Sequence, residues 1–272
     1  MSIITSIVIT VFLYIITSLL DLLILSFDKN PATYRHIIGL SGIIPSLIAY
    51  PLLIAHLRFS KVKISFNKGS LITNYRILIP ILWAFVVGDH LFNLPFFHWK
   101  NLSNKYFGTT LEIPDYSNYK FSVFQFYFWF RALIIAPIFE EIFFRYYIFE
   151  GLLKKYSFLT SLFTSSILFS LIHIDSLDSL HILVPAFVFG IISSLVYFKT
   201  QKIFYSIILH FFANGIWLLR SVYTKEYSAL IKEIGFGLIF WVIFLIGIIL
   251  LLIGIKRITS SVRPVFRQTP GL

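Results

Sequence analysis

From Ile234 to Ile255 no side chain carries a charge, and within that run the stretch LIFWVIFLIGIILLLIGI at 238–255 is almost wholly aliphatic and aromatic. An α-helix needs about 20 apolar residues to cross the hydrocarbon of a bilayer, so this segment constrains the chain to a membrane. Comparable runs recur from end to end and leave no segment long enough for a separate soluble domain. The composition agrees: 58% of the 272 residues are hydrophobic, 19% aromatic and only 13% charged, with a mean hydropathy of +0.86. The expectation is an all-α, polytopic membrane protein, one integral domain over 1–272, with about eight transmembrane helices around an intramembrane polar cavity. Hydropathy places them at about 3–26, 37–57, 77–97, 121–149, 157–174, 181–198, 203–221 and 235–255. The first is too long for a signal peptide and lacks a basic leader, so it reads as a retained span.

The net charge of +11 does not point to nucleic acid, because Lys and Arg beside hydrophobic spans orient a membrane protein and touch anionic headgroups. With the amino terminus inside, thirteen Lys and Arg fall in inner loops, which hold no acid, and eight in outer ones. Both termini are then expected to be cytoplasmic. The absence of cysteine excludes disulfides, thiolate metal sites and a cysteine nucleophile.

Ionisable groups within apolar spans cost at least a few kcal/mol and so pair internally or face water. Glu140, Glu141 and Arg145 fall in the fourth span, His173 in the fifth, His210 and Asn214 in the seventh. Glu141 and Arg145 are four apart and share a helical face, which predicts an intrahelical ion pair. Glu140 points about 100° away, without a charge partner in its own helix. His210 and Asn214, also four apart, present toward one cavity. At 1.5 Å per residue, Glu140 lies about 21 Å above Lys154 and His173 about 24 Å above Ser157, so the two can be level.

Such a set suits water activation and amide hydrolysis: a carboxylate takes a proton from water, one imidazole shares it, and a second imidazole with an amide binds an oxyanion. The same residues suit zinc, but no compact metalloprotease spacing is present, and no metal or other cofactor is expected, zinc being the minority alternative. No Ser-His-Asp order is visible. Asp89 and His90 in the third span line an entrance or, in the favoured reading, make a satisfied helix contact. The aromatic run at 124–130 reads as lipid-facing, and the Asp175, Asp178 and His181 group as a solvated loop.

Three spaced patterns, Glu140-Glu141-Ile142-Phe143-Phe144-Arg145, Phe169-Ser170-Leu171-Ile172-His173 and His210-Phe211-Phe212-Ala213-Asn214, stand in order on successive spans, with Ala136-Pro137 before the acids. In this the chain resembles the CAAX protease and bacteriocin-processing family, also called Abi proteins, over roughly 121–220, the expected catalytic core. The resemblance implies a glutamate-dependent intramembrane endopeptidase, with Glu140 the general base, His173 assisting the water, and His210 with Asn214 the oxyanion-stabilising pair. Glu141 and Arg145 would support the site. Many relatives place Gly after the motif arginine, where this chain has Tyr146. The partners implied are a membrane-associated peptide or protein substrate and the bilayer; the Ile-, Phe- and Lys-rich composition points to an AT-rich genome, and so to a bacterial cytoplasmic membrane as the expected setting. A non-catalytic immunity or partner-binding protein, or a proton-coupled transporter using Glu140, are the alternatives.

Overall fold

The computed structural model describes residues 1–26, 40, 43–59, 75–113, 125–174 and 181–261, which are helical with short connections and contain no strand. Helix α1 spans Ile3–Ser26, α2 Ile44–Phe59 and α3 Tyr75–Phe92. Two short helices follow, α4 at Leu94–Phe97 and α5 at Trp99–Phe107. The long helix α6 runs unbroken from Gln125 to Leu153, but alternates in pitch: α over Gln125–Phe130, π over Arg131–Ile135, α over Ala136–Glu141, π over Ile142–Phe149 and α over Glu150–Leu153. Then come α7 at Phe158–Leu171, α8 at Leu183–Thr200, α9 at Ile203–Val222, α10 at Thr224–Ile234 and α11 at Leu238–Ser261.

The chain is an integral membrane protein, although the expected count of eight crossings is not reproduced by helix length and composition. Five described segments are long and apolar enough to cross: Ile3–Ser26, Arg76–Phe97, Leu183–Thr200, Ile203–Val222 and Leu238–Ser260. Helix α6 has the length but carries Arg131, Glu140, Glu141, Arg145 and Glu150, while α7 is only 14 residues long. The fifth span therefore ends sooner than hydropathy suggests, and His173 lies just past the helix, with its N–H donating to Ser170 O at 3.0 Å.

Lipid offers no hydrophobic drive between helices, so small residues and interhelical hydrogen bonds hold the bundle. On α11, a Cβ at Gly247 would lie 2.6 Å from Phe92 N, and one at Gly254 2.6 Å from the Phe85 ring; only glycine permits α3 to pack this closely. Helices α7 and α8 meet through Gly190, whose absent Cβ would sit 3.0 Å from Ser166 Cα. Ser165 Oγ donates to Phe144 O at 2.9 Å and Ser206 Oγ to Ser193 O at 3.1 Å, tying α7 to α6 and α9 to α8. The core between them is aliphatic and aromatic, with Phe85, Phe144, Ile148, Leu152 and Val196 fully buried. Away from it, Phe126, Phe128 and Phe130 are exposed, as a lipid-facing aromatic belt requires.

Chain ends and turns segregate into two poles. At one pole the Met1 amine donates to Gly151 O at 2.9 Å, the Phe158 and Phe198 rings lie 4.4 Å apart, and Lys199 Nζ donates to Thr259 O at 3.2 Å. This pole gathers Lys154, Lys155, Lys199, Lys202, Lys256 and Arg257. The glycine nearest the motif arginine, Gly151, also seats Met1 here: a Cβ would lie 2.9 Å from its Cε.

The opposite pole is an aromatic cap. Arg220 lies 3.5 Å over the Phe97 ring, His98 Nε2 is 2.9 Å from Tyr227 Oη, and the Trp99 and His181 rings are 5.7 Å apart. Lys105 Nζ and Tyr106 Oη both donate to Phe236 O, at 2.8 and 2.5 Å. Helix α5 is thus pinned to the α10–α11 turn. Asp175, Asp178, His36 and the carboxyl-terminal tail lie outside the described residues.

Candidate active site

The two adjacent glutamates have opposite surroundings. Glu141 is fully buried and saturated with partners: Arg145 Nε lies 3.0 Å from Oε2, His210 Nδ1 donates to Oε1 at 2.9 Å, and Ser193 Oγ donates to Oε2 at 2.5 Å. The i,i+4 pair read from spacing is present. It is also one corner of a network joining α6, α8 and α9, in which a buried carboxylate is balanced by a guanidinium and two further donors. Arg145 is itself fully buried, its guanidinium 4.5 Å from the Phe169 ring centroid.

Glu140 faces the other way. It is half-buried, and its Oε2 is shielded from solvent yet has no hydrogen-bond partner. It lines a cavity of about 670 Å³ together with His173, His210, Asn214, Asp89 and His90. That volume falls within the usual range of ligand pockets. The two residues expected to activate water and the two expected to stabilise the oxyanion therefore line one cavity, contributed by α6, the turn after α7, and α9.

Hydrogen bonds fix the imidazole orientations. His173 Nδ1 is 2.8 Å from Phe169 O, and a carbonyl only accepts, so Nδ1 carries the proton and Nε2 of the neutral ring is an acceptor toward the cavity. The spacing of four between Phe169 and His173 thus sets the tautomer, and the rings pack at 4.7 Å. In His210, Nδ1 is engaged by Glu141, which leaves Nε2 as the working atom. Phe189 and Phe169 flank that ring at 4.8 and 5.9 Å.

Asn214 does more than line the wall. Its Nδ2 donates to Ala132 O at 2.7 Å. In the π stretch, bonds run from N–H i+5 to C=O i, as Ala136 N–H to Arg131 O shows. The next carbonyl in that register, Ala132 O, would take the N–H of residue 137, but Pro137 has none. Asn214 supplies the missing donor and keeps one amide N–H and its carbonyl oxygen for the cavity.

Two features escaped sequence reasoning. Ser193, in the otherwise apolar α8, is a direct partner of Glu141; its only signal is a hydroxyl on a helix with buried small residues. Asp89 does not make the fully satisfied contact expected of it: Asn93 Nδ2 donates to Oδ2 at 3.1 Å, but Asp89 Oδ1 and Asn93 Oδ1 are buried without partners. Among the described residues no three His, Asp or Glu side chains are grouped as a metal set.

This is a helical membrane protein with a polar cavity sunk in its core, lined by a free carboxylate and two oriented imidazoles. Residues 122–216, a stretch that holds α6 to α8 and most of α9, match the family described as type II CAAX prenyl endopeptidase Rce1-like, and over that stretch the chain is similar to this family. No curated protein and no solved structure matches the chain.

Proposed function

We propose that the protein is an intramembrane endopeptidase that hydrolyses a peptide bond of a membrane-associated peptide or protein by glutamate- and histidine-activated water. The observation that carries this reading is the buried, unpartnered Oε2 of Glu140 in a cavity shared with His173, His210 and Asn214. Glu140 takes a proton from a water that also hydrogen-bonds His173 Nε2. The water oxygen attacks the scissile carbonyl carbon, and the carbonyl oxygen becomes an oxyanion. The second N–H of Asn214 donates to that oxyanion, and the His210 ring, held through Nδ1 by Glu141, is the other member of the oxyanion-stabilising pair. As the C–N bond breaks, Glu140 returns the proton to the leaving amine. Glu141, Arg145 and Ser193 hold His210 in place and touch no substrate. The matched family supports a peptide substrate at the membrane, and residues 121–220 form the catalytic core in this reading.

The test is cleavage of a cognate membrane peptide by protein purified in detergent or reconstituted in liposomes. Glu140→Ala and His173→Ala each reduce turnover to background while leaving the unfolding temperature unchanged; full turnover in either variant overturns the assignment. Cleavage that survives prolonged chelation separates this mechanism from a zinc-dependent one.

A further inference from the structure

The cavity holds more unpartnered acceptor atoms than hydrolysis uses. Asp89 in the last turn of α3 and Asn93 just past its end, both 8% exposed, line the cavity. Asn93 Nδ2 is committed to Asp89 Oδ2, so Asp89 Oδ1 and Asn93 Oδ1 are two buried acceptors with no donor. A buried carboxylate oxygen left unsatisfied is costly, and a bound donor recovers that cost. The charge of the surroundings selects the donor. Among the described residues lining the cavity the carboxylates are Asp21, Asp89 and Glu140, and the sole Lys or Arg is Arg131, which is exposed. A cation entering this space meets a net negative, low-dielectric wall; an anion is repelled.

The segment also has the right position. Helices α3 and α4 follow α9 in the same direction, with the Trp83 and Phe212 rings 5.5 Å apart at one level and Arg220 on the Phe97 ring of α4 at another. Asp89 lies between these levels, as Asn214 of α9 does, and both line the cavity together with His210. We propose that Asp89 and Asn93 form a specificity subsite for an ammonium or guanidinium group, a Lys or Arg side chain of the substrate next to the scissile bond. Asp89 Oδ1 accepts the charged hydrogen bond, Asn93 Oδ1 accepts a second, and Asn93 Nδ2 keeps Asp89 oriented. His90, which lines the same wall, forms its edge.

This subsite rests on the proteolytic reading for its role, but its binding is measurable without cleavage. The Glu140→Gln protein in neutral phosphatidylcholine nanodiscs is titrated with dansyl-labelled apolar peptides that differ at a single residue, lysine, norleucine or glutamate, placed in turn at each central position. At one position the lysine peptide binds about tenfold or more tighter than norleucine, and glutamate weaker than both. Adding Asp89→Asn, which is isosteric, removes that preference without moving the unfolding temperature. Asn93→Leu, checked for folding in the same way, weakens it by removing the second acceptor. No lysine preference at any position, or one that survives Asp89→Asn, overturns the subsite. Binding preference with no cleavage of any peptide by the Glu140-bearing protein would instead overturn the protease reading and leave the subsite standing.

Discussion

Glu140 and Glu141 are the same residue type at neighbouring positions, and a helix turns about 100° between them. That rotation places one carboxylate among Arg145, His210 and Ser193 and the other at an open wall. Their substitutions should therefore fail differently. Glu141→Gln or Glu141→Ala strands the buried Arg145 charge and is expected to destabilise the protein by roughly 3–5 kcal/mol, read as a large drop in unfolding temperature in detergent. Glu140→Gln leaves the bundle intact and removes activity; a large loss of stability in this variant would contradict the description of its oxygen as unpartnered. The pair Glu141–Arg145 was legible because i,i+4 spacing is local and follows from helical pitch. Ser193 was not, since a partner on another helix depends on how the helices pack, which no periodicity along one segment encodes. The free oxygen of Asp89 was missed for the same reason: the spacing to Asn93 is visible in sequence, whereas which remaining atoms lack donors is a property of the assembled cavity.

At the scale of the element, hydropathy identified α6 as one apolar stretch with a proline but not its π segments, because a window-averaged hydropathy does not depend on helical pitch. The pitch explains Asn214. Removing its amide by Asn214→Leu leaves Ala132 O without a donor, at an expected cost of about 1–3 kcal/mol. Pro137→Ala supplies an N–H at the position that carbonyl awaits, so the two substitutions should be non-additive: Asn214→Leu costs measurably less stability in the Pro137→Ala background. Additive losses in a double-mutant cycle would remove the latch. The cap formed by α5 and α10 carries a pH dependence of its own. Burial and the nearby Arg220 push the His98 imidazole down to about 4. The unfolded chain then binds the proton first, so stability from this group is complete above about pH 6.5 and is lost as pH falls toward 4. Unfolding temperature should drop more steeply over that window in the native protein than in His98→Phe, which keeps the ring contact with Tyr227 but cannot titrate; parallel curves would show that His98 is uncoupled from the cap.

For the whole molecule, the fold converts a count of basic loop residues into a geometric fact, since the Lys and Arg of residues 154–155, 199–202 and 256–257 gather at one pole. The positive-inside rule leads to the expectation that this pole faces the cytoplasm. The chain has no cysteine, so single substitutions at Lys155 and Lys232 report the side directly by labelling with an impermeant maleimide in intact cells. Labelling at position 232 and protection at 155 is the expected result, and the reverse would invert the topology. Finally, 69 residues separate Glu141 from His210. At a synthesis rate of about 5–20 residues per second the ribosome needs several seconds to span that interval. During that time α6 is inserted with Arg145 neutralising Glu141 along its own helix, while the imidazole that completes the network has yet to be made. The nascent chain can thus be integrated with its buried acid already paired, and the network that orients the His210 ring is completed only once α9 is made.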